Sequence, residues 1–191
     1  MKQFDLPSSQ QVEQELKRER YKTRYKSTLR STVFALVTAS AVAVLVATLF
    51  LPVLQIYGSS MYPTLQEGQI VVSVKADDLK AGDVVAFYYG NKVLIKRYIA
   101  GPGTWINILE DGTVYLDDEL LEEPYLTAKH FGISDLEYPY QVPEDTYFLM
   151  GDEREISVDS RHSSVGCISE EEIVGKIIFR VWPMNTVGFV K

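Results

Sequence analysis

Residues 83–98 read DVVAFYYGNKVLIKRY. The runs Asp83–Tyr89 and Lys92–Tyr98 are rich in β-branched and aromatic residues, which suit a pleated, half-buried surface. Tyr89-Gly90-Asn91-Lys92 joins them, and a glycine-led pair between two such runs predicts a hairpin. In the second run, alternation puts Leu94, Lys96 and Tyr98 on one face and Val93, Ile95 and Arg97 on the other. Lys96 therefore has an apolar neighbour on each side along its own face. Two outcomes stay open: a buried face that desolvates the ammonium, or a sheet edge from which the lysine reaches water.

The same texture extends in both directions. Gln69–Val74, Trp105–Leu109, Thr113–Leu116, Thr146–Met150 and Ile173–Trp182 read as strands, with Glu110-Asp111-Gly112 as a turn. Ser169-Glu170-Glu171-Glu172 has the form of a capping box opening a short helical turn. Residues 122–145, with Pro124, Pro139 and Pro143, read as a long irregular connection. The body that begins at residue 52 is thus predicted to be all-β.

What precedes it is different. No charged residue stands between Arg30 and Glu67. Ser31–Leu51, STVFALVTASAVAVLVATLFL, would rise roughly 31 Å as a helix, close to the roughly 30 Å of a bilayer core. Pro52 supplies a stop. A buried core helix would show a polar stripe, which this run lacks. A cleaved signal peptide has a shorter apolar core after a short basic start, whereas here a thirty-residue arm leads into a longer run. Residues 31–51 are therefore read as a permanent transmembrane anchor, residues 1–30 as a basic arm and residues 52–191 as the working body. Lys17, Arg18, Arg20, Lys22, Arg24, Lys26 and Arg30 crowd one flank, and the first basic residue beyond the span is Lys75. The bias of basic residues toward the cytoplasm places the arm inside and the body outside. Residues 9–28 read as a cytoplasmic helix running into the span, its basic residues either in contact with anionic lipid or simply a solvated topology signal.

Charge divides the same way. The first 51 residues carry +4 and the remainder −11, for a net −7. An acidic body argues against a nucleic-acid partner. Cys167 is the single cysteine, so no intrachain disulfide forms, and no Cys–His pattern makes it a nucleophile. No metal-ligand cluster or phosphate loop is present, and no cofactor is expected.

Residues 58–65, GSSMYPTL, set two serines beside a glycine and a proline within nine residues of the span, at most roughly 30 Å of chain. Alone, this stretch is equally an ordinary loop. A serine nucleophile needs a base. Asp159-Ser160-Arg161-His162 offers a fragment of a Ser-His-Asp system, but Asp and His three apart on one loop rarely aim at each other. His130 lies in the irregular connection. Lys96 is the best-placed alternative. Burial lowers an ammonium pKa, and moving it from about 10.4 to about 7–8 takes roughly 3–5 kcal/mol of differential solvation.

Taken in order, these segments resemble the bacterial type I signal peptidases, membrane-anchored proteases with a Ser/Lys dyad. The motifs are Ser60-Met61-Tyr62-Pro63-Thr64-Leu65, Gly82-Asp83-Val84-Val85, Lys96–Gly103, and Gly151-Asp152-Glu153-Arg154 running on to Ser157-Val158-Asp159-Ser160-Arg161. The resemblance covers about residues 30–185 and is to the single-span Gram-positive form. It implies a body of two antiparallel sheets, Ser60 as nucleophile and Lys96 as general base. It further implies that Ser157 orients the lysine amine, that Asp159 and Arg161 steady its loop, and that Asp152 and Arg97 join that network. The oxyanion donors would be the Ser60 N–H and a group at Gly58, where only main chain is available. Ile56, Ile95 and Met61 would line small-residue pockets. The implied substrates are exported preproteins, cut after Ala-x-Ala beside the lipid bilayer. Glu153, Ile156, Ala100 and Thr104 depart from the commoner family residues. Two rivals remain in view: a silent relative serving pilus or surface-protein assembly, and a self-cleaving Ser/Lys regulator, which would need a DNA-binding segment where the span stands.

Overall fold

The computed structural model describes residues 9–75 and 78–190. The chain divides into two units, residues 1–49 and 50–191.

In the first unit, α1 runs unbroken from Ser9 to Phe50. Between Val12 and Val46 it is long and apolar enough to cross a membrane, by length and composition. Val33, Phe34, Leu36, Val37 and Val44 are all exposed on this helix. The hydroxyls of Thr32 and Thr38 donate to the carbonyls of Thr28 (3.0 Å) and Phe34 (2.9 Å), one turn back. Polar groups satisfied within the helix suit an apolar solvent. The first turns of α1 are rich in charge and laced by Lys17–Glu13 (3.0 Å) and Lys22–Glu19 (2.7 Å) pairs. The part of the basic arm before Ser9 lies outside the described residues.

The second unit is built of strands. They are β1 (Val53–Gln55), β2 (Ile70–Val74), β3 (Val84–Tyr89), β4 (Lys92–Ala100), β5 (Trp105–Ile108), β6 (Val114–Leu116), β7 (Glu119–Leu120), β8 (Tyr140–Gln141), β9 (Thr146–Met150), β10 (Ile168–Ser169), β11 (Ile173–Trp182) and β12 (Gly188–Phe189). One sheet has the order β1-β2-β11-β3-β4-β9-β10, with β12 also on β11; the other has β7-β6-β5-β8. Every pairing is antiparallel.

The predicted hairpin is present: Tyr89 pairs with Lys92, and Gly90 takes φ +57° at the turn. A second hairpin escaped the sequence reading. Asp117 and Asp118 both have positive φ (48° and 67°) between Leu116 and Glu119. That is the backbone a two-residue turn needs to match the strand twist, and Asp is among the residues that tolerate it. The stretch 122–145 is irregular except for β8, and Glu170–Glu172 forms the short helical turn, with the Ser169 N–H donating to Glu172 Oε2 (3.0 Å).

Strand alternation sorts β4 between two cores. Leu94 and Tyr98 pack with Val85, Phe87, Leu149 and Ile168. Ile95 packs with Ile56, Met61, Leu65, Val84 and Ala86. Beyond Tyr98, Ile99 and Ala100 enter a third cluster with Ile106, Ile108, Val114 and Phe148, which ties the two sheets together. β4 is thus anchored at three points, and Lys96 sits in its middle.

Candidate active site

Lys96 is 5% exposed, so the buried outcome holds. Its Nζ donates to Ser60 Oγ at 2.8 Å and to Ser157 Oγ at 3.0 Å. The amine pKa is pushed down to about 8. Burial is the largest cause; the Asp159 and Asp152 carboxylates pull the value up and Arg161 pushes it down. A lysine at about 8 has a neutral fraction of roughly a tenth at pH 7, enough to accept a proton.

The partners of Lys96 are held by backbone bonds. Glu153 N–H donates to the Ser60 carbonyl (3.0 Å), and Ser157 N–H donates to the Glu153 carbonyl (3.1 Å). Gly151 lies between the two serines. A Cβ there would collide with the Ser157 Oγ and would lie 2.6 Å from the Ser60 carbonyl oxygen, so the position admits only glycine. Gly151 N–H donates to Asp159 Oδ2 at 2.9 Å, which fixes the turn.

Two buried ion pairs brace this arrangement. Asp159 takes Arg161 Nε (2.8 Å) and Nη2 (2.8 Å), the two-point geometry that suits a guanidinium. Its carboxyl lies below the ordinary range: burial pushes up, but the Arg161 pair and the Gly151 N–H outweigh it. Asp152 takes Arg97 Nε (2.7 Å) and Nη2 (2.6 Å), and also the Thr64 hydroxyl (2.5 Å). Among the described residues no buried side-chain polar atom lacks a partner.

Beside Ser60 and Lys96 opens a cleft of about 630 Å³, lined by residues 53–58, Ser60, Met61 and residues 92–96. Ile56 and Met61 are buried in its floor and Ile95 is half-buried. β1 is an edge strand, and the part of β4 before Arg97 pairs only with β3. Among the described residues, the cleft is therefore flanked by strand edges that no further strand pairs.

A family model described as signal peptidase, peptidase S26, matches residues 29–182. The chain belongs to this peptidase family. Signal peptidase IB of Staphylococcus aureus (strain COL) is 37% identical over 150 residues, covering 68% of this chain and 77% of that one. Signal peptidase I T of Bacillus subtilis (strain 168) is 37% identical over 157 residues, covering 75% and 79%. The crystal structure of a signal peptidase I from Enterococcus faecalis V583 is 25% identical, covering 52% of this chain and 97% of that one, with a TM-score of 0.45.

Within this signal peptidase the residues singled out by sequence fall as follows. Ser60, Lys96 and Ser157 meet directly. Asp159 and Arg161 form one pair and Asp152 and Arg97 another, connected through Gly151 rather than directly. Gly58 takes φ +77° with open space where a Cβ would be. The Glu153 departure concerns a residue whose contacts with Ser60 and Ser157 are made by its main chain, and the Ile156 side chain is exposed. His162 Nδ1 bonds Ser164 Oγ at 2.8 Å, and His130 is exposed. Sequence reasoning missed Thr64, Gly151 and Arg154, all inside quoted motifs, and Glu123 and Tyr125, whose contacts with Arg154 and Arg97 span about thirty residues and leave no local signal.

Proposed function

We propose that this signal peptidase is a membrane-anchored serine endopeptidase that removes N-terminal signal peptides from exported preproteins, cutting after small residues in Ala-x-Ala patterns. The observation that carries the reading is the buried Lys96 amine 2.8 Å from Ser60 Oγ. In this reading neutral Lys96 takes the hydroxyl proton as Ser60 attacks the scissile carbonyl. The ammonium then gives that proton to the leaving amine, forming an acyl-Ser60 ester. Water, deprotonated by Lys96, cleaves the ester and releases the signal peptide. Ser157 holds the amine in line at 3.0 Å. The Ser60 N–H and main chain at Gly58 are the proposed donors to the tetrahedral oxyanion.

The cleft supports an extended substrate, with its backbone lying along the free strand edges at residues 53–57 and 92–96. Ile56, Met61 and Ile95 leave room for small side chains, which fits alanine at the cut site. The α1 helix supports a single anchor, and the excess of Lys and Arg on its N-terminal flank supports an orientation with residues 1–30 in the cytoplasm and residues 52–191 outside. Tethering there raises the local concentration of membrane-held substrates. A silent assembly factor would have no need of a desolvated lysine on a serine hydroxyl.

The test is turnover of an Ala-x-Ala preprotein by wild type, Ser60→Ala, Lys96→Ala and His162→Ala. Loss in the first two variants with activity kept in the third is expected. Full activity in Lys96→Ala, or loss in His162→Ala, contradicts the reading.

A further inference from the structure

Leu121–Leu126, Leu-Glu-Glu-Pro-Tyr-Leu, leaves the end of β7 and reaches two buried arginines beside the site, Arg97 and Arg154. Its Glu123 side chain is fully buried against Arg154: Oε1 accepts Nη2 at 2.5 Å and Oε2 accepts Nη1 at 3.4 Å. Two residues on, the Tyr125 ring lies 3.7 Å from the Arg97 guanidinium carbon, and its hydroxyl donates to Glu123 Oε1 at 3.1 Å. That hydroxyl is pushed well above the ordinary tyrosine range, first by burial and next by the Glu123 charge, so it stays a donor.

The consequences run through both arginines. Arg97 follows Lys96 on β4 and is fully buried, with its edges committed to Asp152, Thr64 and the Gly82 carbonyl. Edge contacts leave the guanidinium faces to be covered, and a tyrosine ring on one face suits a desolvated cation. Arg154 Nε donates to the Gly151 carbonyl at 3.0 Å, and Gly151 is the residue wedged against Ser157 Oγ and the Ser60 carbonyl. One end of this strap therefore grips the strand carrying Lys96, and the other grips the turn that sets Ser60 and Ser157.

We infer that Tyr125, seated by its bond to Glu123, is a positioning residue whose ring acts through Arg97 to hold Ser60, Lys96 and Ser157 in reacting geometry. The inference rests on Lys96 being the general base. A displacement of the reacting atoms by about 1 Å costs on the order of 100-fold in rate. Loosening the packing that holds Lys96 also lets water reach it, which raises the amine pKa.

The experiment compares full-length wild type, Tyr125→Leu and Tyr125→Phe in detergent micelles on an Ala-x-Ala preprotein. Unfolding curves are recorded for each, and activity is measured well below the transitions. Tyr125→Leu is expected to lose roughly 10- to 100-fold in kcat with KM within about twofold, and the acid limb of its kcat/KM profile should move to higher pH. Tyr125→Phe, which keeps the ring, is expected to recover kcat to within about threefold of wild type. A folded Tyr125→Leu with wild-type kcat and an unmoved acid limb overturns the inference. So does a Tyr125→Phe as impaired as Tyr125→Leu, which would assign the effect to the hydroxyl. Lys96→Ala in the same series separates the two levels: activity there sinks the base assignment itself, whatever Tyr125 does.

Discussion

Replacing Lys96 by methionine should abolish turnover and, at neutral pH, make the body more stable. The two side chains are of similar length, but only one must give up a proton to be buried. Lys96 is 5% exposed and its pKa falls from 10.5 to about 8 in the folded protein. A folded pKa below the unfolded one means that the unfolded chain binds the proton more tightly. At about pH 7, below both values, this withholds about 3 kcal/mol from the folded state. Methionine removes that penalty. It also forfeits two hydrogen bonds, to Ser60 and Ser157, each worth about 1 kcal/mol net. The variant should thus gain about 1 kcal/mol at about pH 7. The stronger prediction is the pH dependence. As pH climbs past about 8 toward about 10.5 the unfolded chain loses its advantage, and wild type recovers about 1 kcal/mol relative to the variant by about pH 9. The assay is urea unfolding of the full chain in micelles, followed by the fluorescence of Trp105 and Trp182, both in the body. Other titrating groups are common to the two proteins and cancel in the difference. A wild-type-minus-variant difference that is the same at both pH values would refute the reasoning, because it would mean that burial does not perturb the amine.

Two further outcomes follow from the same geometry. Turnover should rise about tenfold per pH unit below about pH 8 and then level, since only the neutral amine accepts the serine proton; a steady-state kcat/KM profile checks this. Gly151→Ala should lower kcat by more than roughly 100-fold although Ser60 and Lys96 are both kept, since its Cβ must displace Ser157 or the Ser60 carbonyl; single-turnover kinetics of the folded variant would show it.

The β hairpin that carries Lys96 was readable because it satisfies several local rules at once: β-branched runs, a glycine-led turn and alternation. The same holds for the apolar span, whose signal is composition over twenty-one residues. The two-residue strands Glu119–Leu120, Tyr140–Gln141, Ile168–Ser169 and Gly188–Phe189 were not readable, because two residues carry no period. They pair because neighbouring strands offer an edge. The site divides similarly. Ser60 and Lys96 stood out as residue types beside a span and within an apolar face, and the family resemblance supplied Ser157, Asp159 and Arg161. Thr64 meets Asp152 across 88 positions, and Glu123 meets Arg154 across 31. Buried polar contacts of that kind are products of the fold, and nothing in the local sequence separates a glutamate such as Glu123 from its solvated neighbour Glu122.

The most direct measurement is the titration of the Lys96 amine itself. Lysine-labelled protein, with the Lys96 resonance assigned by its absence in Lys96→Arg, would be followed by NMR across the alkaline range. A midpoint near about 8 is predicted, well under the free-lysine value of about 10.4. A midpoint at or above about 10 would mean a lysine that is cationic where the enzyme works, and Lys96 could not then be the base.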